Sequence, residues 1–448
     1  MKNIVTINDF ELQDNKMKWK LNGISFKINY KFDIDTKFID TFKLIPLIQA
    51  GCVASAYNKK VTLNIAGIKI RTETLEFLNK FLKLQHNKSM HHLGYKSGEY
   101  PLNVKINVDI DNTEKLTIPD KLKTRTVVSA WSGGKDSYLT IKLLQEAGLN
   151  VITGTTQWNT IAFNQGANPF MKRNTKIKQN IVASLAVKNK LRKLFTEISE
   201  NQNIKVDKSL ITSHAKNDPF LLYNTWYASV QNINNILYCQ HNNIKYSFMG
   251  DESPTLDYFY DNEIIIYYNF GHSYKIKQMF NRHAKKIYGE NHTSVYSILY
   301  PIESALEIKI LVERYKVTNF SSCYVMINRV DPSSGACSKC LKCAVSYLHY
   351  KSLGYDPSWF GIDETKMIKH IIKKSIMSVL YEFDEGYKYW IVKNCIKYDI
   401  MKPILQKLLS KTPEDRDYSP LIVVTDNYKT IPKNIRSKVT KIYDEFLR

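Results

Sequence analysis

Short stretches in which apolar and polar residues alternate open the chain. Lys18-Trp19-Lys20-Leu21 and Ile24-Ser25-Phe26-Lys27-Ile28-Asn29-Tyr30 have the two-residue period of half-buried strands. From Thr36 to about Ala54 the apolar residues Phe38, Ile39, Phe42, Ile45, Leu47 and Ile48, with Pro46 among them, predict a helix. A strand is expected over Lys60–Ile65, an amphipathic helix over residues 74 to 84, and another strand over Val104–Ile110. Residues 1–122 therefore read as an amino-terminal α+β domain, and no catalytic motif falls within it.

Asp111 to Lys123 is polar, carries Pro119 and reads as a linker. Beyond it the pattern changes to strand–loop–helix repeats. Strands are expected at Thr126–Trp131, Asn150–Gly154, Ser209–Ser213 and Ile244–Gly250. Helices are expected at Tyr138–Ala147, closed by Gly148, at Ile177–Phe195 and at Trp226–Asn242. Such alternation predicts an α/β fold with a parallel sheet sandwiched by helices over residues 123–350. Residues 351–448 read as a mostly helical carboxyl-terminal extension: Glu364–Tyr381, Tyr387–Tyr398, Met401–Leu409 and Arg436–Leu447, with a lone strand at Leu421–Val424.

A length of 448 residues favours two or three domains, and 44% apolar residues suffice for a large interior. No apolar run is long enough to span a bilayer, and the amino terminus lacks an apolar signal region, so a cytoplasmic protein is expected. The formal charge of +22 raises a nucleic-acid partner. The lysines are scattered without a block, which favours a solvated surface that also attracts ATP and other anions.

The candidate chemistry starts at Ser132-Gly133-Gly134-Lys135-Asp136-Ser137, between a predicted strand and a predicted helix. Glycines let the backbone turn so that amide groups approach a phosphate. The helix that follows contributes its positive end, and Ser132 and Ser137 offer hydroxyl donors. Asp136 is a poor neighbour for phosphate unless a cation intervenes, which points to Mg2+. The spacing is not that of a Walker A loop.

Ser-Gly-Gly-Lys-Asp-Ser after an apolar strand resembles the PP-loop of the ATP pyrophosphatase (adenine nucleotide alpha hydrolase-like) superfamily. The resemblance implies that ATP is split at its α–β linkage, that Ser132–Ser137 hold the pyrophosphate part, and that Lys135, Asp136 and Ser137 serve catalysis. It also implies that adenine lies near the second strand, around Val151 to Thr155, with Thr153 and Gly154 among the ATP-binding residues.

The chain has seven cysteines, of which Cys323, Cys337, Cys340 and Cys343 fall close together. Thirteen, two and two residues separate them, and Pro332, Ser333, Ser334 and Gly335 supply a turn. Four thiolates enclose Zn2+ tetrahedrally with no vacant position, a structural site; the same ligand set also holds an iron–sulfur cluster.

The loop at the front and these cysteines behind it, over residues 125 to 350, resemble the 7-cyano-7-deazaguanine synthase (QueC) family. That likeness implies an ATP-dependent enzyme that adenylates 7-carboxy-7-deazaguanine and passes the acyl group to ammonia. The added ends resemble the longer QueC-like proteins of anti-phage defence, the QatC type and the component of type IV CBASS. For these the acceptor expected is an amine of a partner protein from the same operon. One departure stands out: Glu307 occupies the position, six residues after Pro301, where the family often has a lysine; Lys309 is one residue that can stand in for it. Two other readings stay open: a tRNA-modifying or diphthamide-type amidating enzyme, and a nucleotide-gated scaffold without turnover.

Weaker candidates follow other strand ends. Asp251 and Glu252 suit Mg2+ or a guanine-like edge, or are a loop acid and helix cap. His214, Asp218 and His272 lie in similar loops, Lys172 and Arg173 in a basic loop, and Asn224, Trp226 and Tyr227 at a helix start where core packing is the simpler expectation.

Overall fold

The computed structural model describes residues 3–57, 59–92, 98–113, 122–158, 180–185, 220–252, 258–267, 269–318, 320, 336–374, 385–396, 406, 419–421 and 423–446. Their elements, in chain order, are β1 (Ile4–Gln13), β2 (Lys16–Leu21), β3 (Ile24–Tyr30), α1 (Ile39–Ala54), β4 (Val61–Ile70), α2 (Thr72–His92), β5 (Val104–Ile110), β6 (Lys123–Ala130), α3 (Lys135–Glu146), β7 (Asn150–Trp158), β8 (Ile181–Leu185), α4 (Phe220–His241), β9 (Ile244–Met249), β10 (Tyr258–Asp261), β11 (Ile264–Tyr267), α5 (Tyr274–Tyr288), β12 (Ser294–Ser297), α6 (Ser304–Glu313), α7 (Leu341–Ser352), α8 (Glu364–Lys374), α9 (Glu385–Ile396) and α10 (Lys433–Glu445).

The chain divides into two compact units, one comprising Met1–Ala130, Leu149–Thr160 and Asn180–Ser297, the other Trp131–Gly148, Ile161–Gln179 and Ile298–Arg448. The first holds a ten-stranded sheet in the order β12-β9-β6-β7-β8-β3-β2-β1-β4-β5. From β12 to β8 every pairing is parallel. β8–β3, β3–β2 and β2–β1 are antiparallel, and β1–β4 and β4–β5 are parallel again. The fold is α/β, with a large, mostly parallel sheet flanked by helices.

Taken in chain order, β6, β7, β8, β9 and β12 lie as third, second, first, fourth and fifth strands, the Rossmann-like arrangement whose order reverses between β6 and β9. Ligands of such sheets lie beyond the carboxyl ends of the strands flanking that reversal. The strands of residues 1–122 continue the same sheet through the β3–β8 pairing.

The alternating residues behave as their pattern predicts. Met17, Trp19 and Leu21 of β2, with Phe26, Ile28 and Tyr30 of β3, point into the core. α1 is buried from Asp40 to Ala54, as a helix apolar on nearly every side must be. Two of its polar groups are matched there: Gln49 accepts a 2.6 Å bond from the Trp19 indole, and Asp40 a 2.8 Å bond from Arg71.

One expected helix is corrected. Within Ile177–Phe195, Ile181–Leu185 is a strand, because its apolar run pairs on both sides, with β7 and β3. Val423 and Val424 form no strand; the Val424 amide donates to the Pro301 carbonyl at 2.9 Å instead, and a short 3-10 helix follows. The expected strand at 209–213 and most of the expected helix at 401–409 lie outside the described residues. No helix among the described residues is long and apolar enough to cross a membrane.

Candidate functional site

The second unit carries the glycine loop. β6 runs out at Ala130, and α3 begins at Lys135 with Gly134 as its cap residue in extended conformation. Gly133 has φ of 79°, a left-handed value that a side chain would strain. The first turn of a helix has amide groups without intrahelical acceptors, and Gly134 has no side chain to cap them. The Ser132 and Ser137 hydroxyls lie 3.2 Å apart, and Ser137 Oγ donates to the Gly134 carbonyl at 3.0 Å. Ser132 is exposed whereas Ser137 is buried, so the bend has one open side.

α3 is anchored by Leu139, Ile141, Leu143 and Leu144, packs against α6 and α10, and receives the Lys438 ammonium on the Ala147 carbonyl at 2.8 Å. α6 places Glu307, which has no exposed surface, 2.9 Å from the Lys135 ammonium. Lys135 also contacts the Asp136 carboxylate. The carboxylates of Asp136 and Glu307 have oxygens within 4.8 Å of each other. Burial pushes the Asp136 carboxyl up, but Lys135 and a hydrogen bond with Glu307 outweigh it and hold the group below its ordinary value. Asp136 is therefore the ionised member of a hydrogen-bonded pair of acids, with the Lys135 ammonium against both. Lys309 points elsewhere, with its ammonium 6.0 Å from the Phe446 ring centroid.

The cysteines lie in the same unit. Cys337, Cys340 and Cys343 bring their sulfurs within 4.8 Å of one another. Ser338 takes a left-handed φ of 52°, which folds the chain between the first two. Cys340 caps α7, and its sulfur accepts the Cys343 amide at 3.4 Å. The Cys337 and Cys343 sulfurs are 3.8 Å apart, close to the separation of about 3.8 Å that tetrahedral zinc with bonds of about 2.3 Å requires. The cluster can hold a metal such as zinc. Cys323 lies outside the described residues.

α7 then packs between α6 and α9, so the knuckle fixes the helix lying against the Glu307 helix. His349, buried in α7, is pushed down to about 3 by burial and further by the charge of Lys135.

In the first unit, Asp251 follows β9 and is only 3% exposed. His272 Nδ1 lies 2.7 Å from its carboxylate, and the fully buried Lys277 of α5 pairs with its other oxygen. Ser297, at the end of β12, donates to the Asp251 carbonyl at 2.7 Å and accepts its amide at 3.1 Å. Lys277 and His272 hold the Asp251 carboxyl below its ordinary value against the upward push of burial. Glu252 is part-buried next to it in the chain.

Thr153 and Gly154 sit within β7. Thr153 is buried, and its hydroxyl accepts the Asn180 amide at 2.9 Å. A Cβ on Gly154 would stand 2.4 Å from Asn235 of α4, so this glycine is required by helix–sheet packing. Trp226 is core, as packing predicts, its indole donating to the Ile45 carbonyl at 3.2 Å, and Tyr227 packs beside that core. His214, Asp218, Lys172 and Arg173 lie outside the described residues. Lys277, Ser297 and His349 carried no motif. Their signal in sequence is weak: a single polar residue interrupting an apolar stripe, as Lys277 does between Ile276 and Met279.

No protein-family model matches the chain, and neither curated proteins nor solved structures give a match. The class defined here is an α/β protein with a Rossmann-like strand order, a glycine loop at a strand-to-helix bend and a cysteine knuckle.

Proposed function

We propose that this chain is an ATP-dependent ligase of QueC-like type. It adenylates a carboxylate, with 7-carboxy-7-deazaguanine the first candidate, releases pyrophosphate, and passes the acyl group to an amine. The observation that carries the reading is the bend at Ser132–Ser137, which combines a left-handed glycine, an uncapped helix start and two facing hydroxyls.

In this reading the loop amides and hydroxyls bind the β- and γ-phosphates. A carboxylate oxygen of the substrate attacks the α-phosphorus, and pyrophosphate leaves. Asp136 and Glu307 would hold Mg2+, which supplies positive charge against the leaving group. The donor set fits: two acidic side chains meet one ammonium, so a cation restores balance. Lys135, the first residue of α3, would add its positive charge beside the phosphates. The protein's share is positioning and electrostatics. Zinc on the cysteines has a structural part, stabilising the start of α7.

The amine that accepts the acyl group is ammonia or an amine of a partner protein; the resemblance to defence-island proteins supports the latter. The test is acid-dependent exchange of labelled pyrophosphate into ATP. Asp136→Ala is expected to lower it by about 10²–10³-fold. Full exchange in that variant removes the loop from the mechanism, and salt-sensitive tRNA binding with no exchange favours the tRNA-modifying alternative.

A further inference from the structure

β5 ends the ten-stranded sheet. It pairs with β4, and among the described residues no strand lies along its other side. Its side chains divide between two faces, as a strand's must. Val104, Ile106 and Val108 are part-buried against the core, and Ile110 beyond them is 37% exposed. Lys105, Asn107 and Asp109 are exposed on the opposite face. The Val61 amide donates to the Asn103 carbonyl at 2.9 Å, which sets the phase of the parallel ladder. In that phase Lys105 and Asn107 bond toward β4, while Val104, Ile106 and Val108 hold their amide and carbonyl groups outward. Such a row of backbone groups is a template for another strand.

A lysine on an edge strand commonly repels further strands. Lys105 has a counterpart, however: it and Asp109 lie equally far from Asn107 along β5. A second β5 laid antiparallel about Asn107 sets Lys105 against Asp109 twice. It also sets Ile106 against Val108, Val104 against Ile110, and Asn107 against its own copy, so each of the seven residues meets a partner. Outward-facing residues then meet outward-facing ones, as an antiparallel ladder requires, and the copy's Val104 covers the exposed Ile110. Parallel pairing in register would set Lys105 against Lys105. We propose that β5 is a self-recognition edge, through which two copies of this chain join their sheets antiparallel about a two-fold axis at Asn107. The pairing uses the first unit alone and holds whether or not the chain adenylates an acid.

Sedimentation equilibrium of the full chain from about 1 to 200 µM reads the association. One strand pair buries little area, so a dissociation constant on the order of 10⁻⁵ M is expected. Lys105→Glu sets acid against acid at two places, and Asp109→Lys sets ammonium against ammonium. Each is expected to weaken self-association at least about tenfold. Mixing the two variants restores it, because every charge then meets its opposite across the axis. Recovery on mixing also reports that both variants are folded. Residues facing each other in a non-hydrogen-bonded pair have Cα atoms about 4.5 Å apart, within reach of a disulfide. Asn107→Cys is therefore expected to give a disulfide-linked dimer on air oxidation, which the wild-type chain does not. A wild-type chain that stays monomeric through the whole range overturns the proposal. Self-association unaltered by both charge substitutions overturns it too, since another surface would then hold the copies. So does loss in both variants without recovery on mixing, because the opposed charges define the register.

Discussion

Lys135 in the second unit and Lys277 in the first keep opposite company. Lys135 stands between two acidic side chains, Asp136 and Glu307, so this group has one acid more than it has cations. Lys277 shares a single carboxylate, Asp251, with an imidazole, so that set matches one acid to one ammonium. The same ingredients in different ratios suit different work. An acidic excess beside a phosphate-binding bend draws a divalent cation. A balanced set holds the part-exposed His272 ring in place.

The units differ also in what holds them. The first has a continuous apolar core under ten strands; the second buries apolar residues of its own, among them Leu139, Leu306, Leu311, Met367 and Val439, and adds a cysteine knuckle on which the start of α7 depends. The largest expected effect comes from breaking that dependence. Zinc binding in small structural sites is worth about 10–16 kcal/mol. Purified protein is expected to carry one zinc per chain, and Cys343→Ser to carry almost none. Limited proteolysis should then cut residues 298–448 first and leave 1–130 resistant. Equal cleavage of both regions would show that the knuckle does not support the second unit alone.

Next in size is removal of each lysine. Lys277→Met leaves Asp251 buried beside one histidine and is expected to cost about 3–5 kcal/mol in denaturant unfolding. Lys135→Met costs less, because the Lys135 side chain is 17% exposed and the carboxylates it leaves can share a cation. Added Mg2+ should therefore recover stability in Lys135→Met and not in Lys277→Met. Recovery in both, or in neither, would erase the distinction between the clusters.

The smallest effect, taken per pH unit, is acid sensitivity, and it appears in both units. Burial pushes His283 down to about 4 and His349 down to about 3, against an ordinary value near 6.5. The unfolded chain takes up these protons first, so stability is full above about 6.5 and falls as pH drops. The slope is up to about 1.4 kcal/mol per pH unit for each histidine. The His283 contribution ends near pH 4 and that of His349 near pH 3. His349→Gln should flatten the curve between those values, and an unaltered curve would mean that this ring is not buried neutral.

Much of the fold was legible because each element carried its own period. β2 and β3 alternate, and α4 and α10 show helical spacing. Gly148, with φ of 83°, closes α3 where the sequence placed it. Misreadings arose where one residue pattern serves two structures. Ile181–Leu185 is an apolar run too short to show its period, and only its partners on either side make it a strand. Likewise the continuation of the sheet from β8 into β3 depends on a pairing between distant segments, which no local pattern reports.

The candidate site was legible to the same extent. The glycine loop and Cys337, Cys340 and Cys343 announce themselves by spacing. Glu307 was visible as an acid in place of a lysine, but its pairing with Lys135 is set by how α6 packs on α3. Thr153 and Gly154 came from the resemblance alone, and no local pattern reports the contacts they make with Asn180 and Asn235. Lys277 and His349 could be found only in three dimensions, since a buried charge is defined by its neighbours.

The central claim is that the bend at Ser132–Ser137 directs AMP, and not phosphate, onto a carboxylate. The most direct measurement is mass spectrometry of the nucleotides formed from ATP when the acid's carboxyl group carries oxygen-18. Adenylation followed by amide formation predicts AMP containing one labelled oxygen, with pyrophosphate unlabelled. ADP with labelled phosphate, or AMP free of label, would contradict the account.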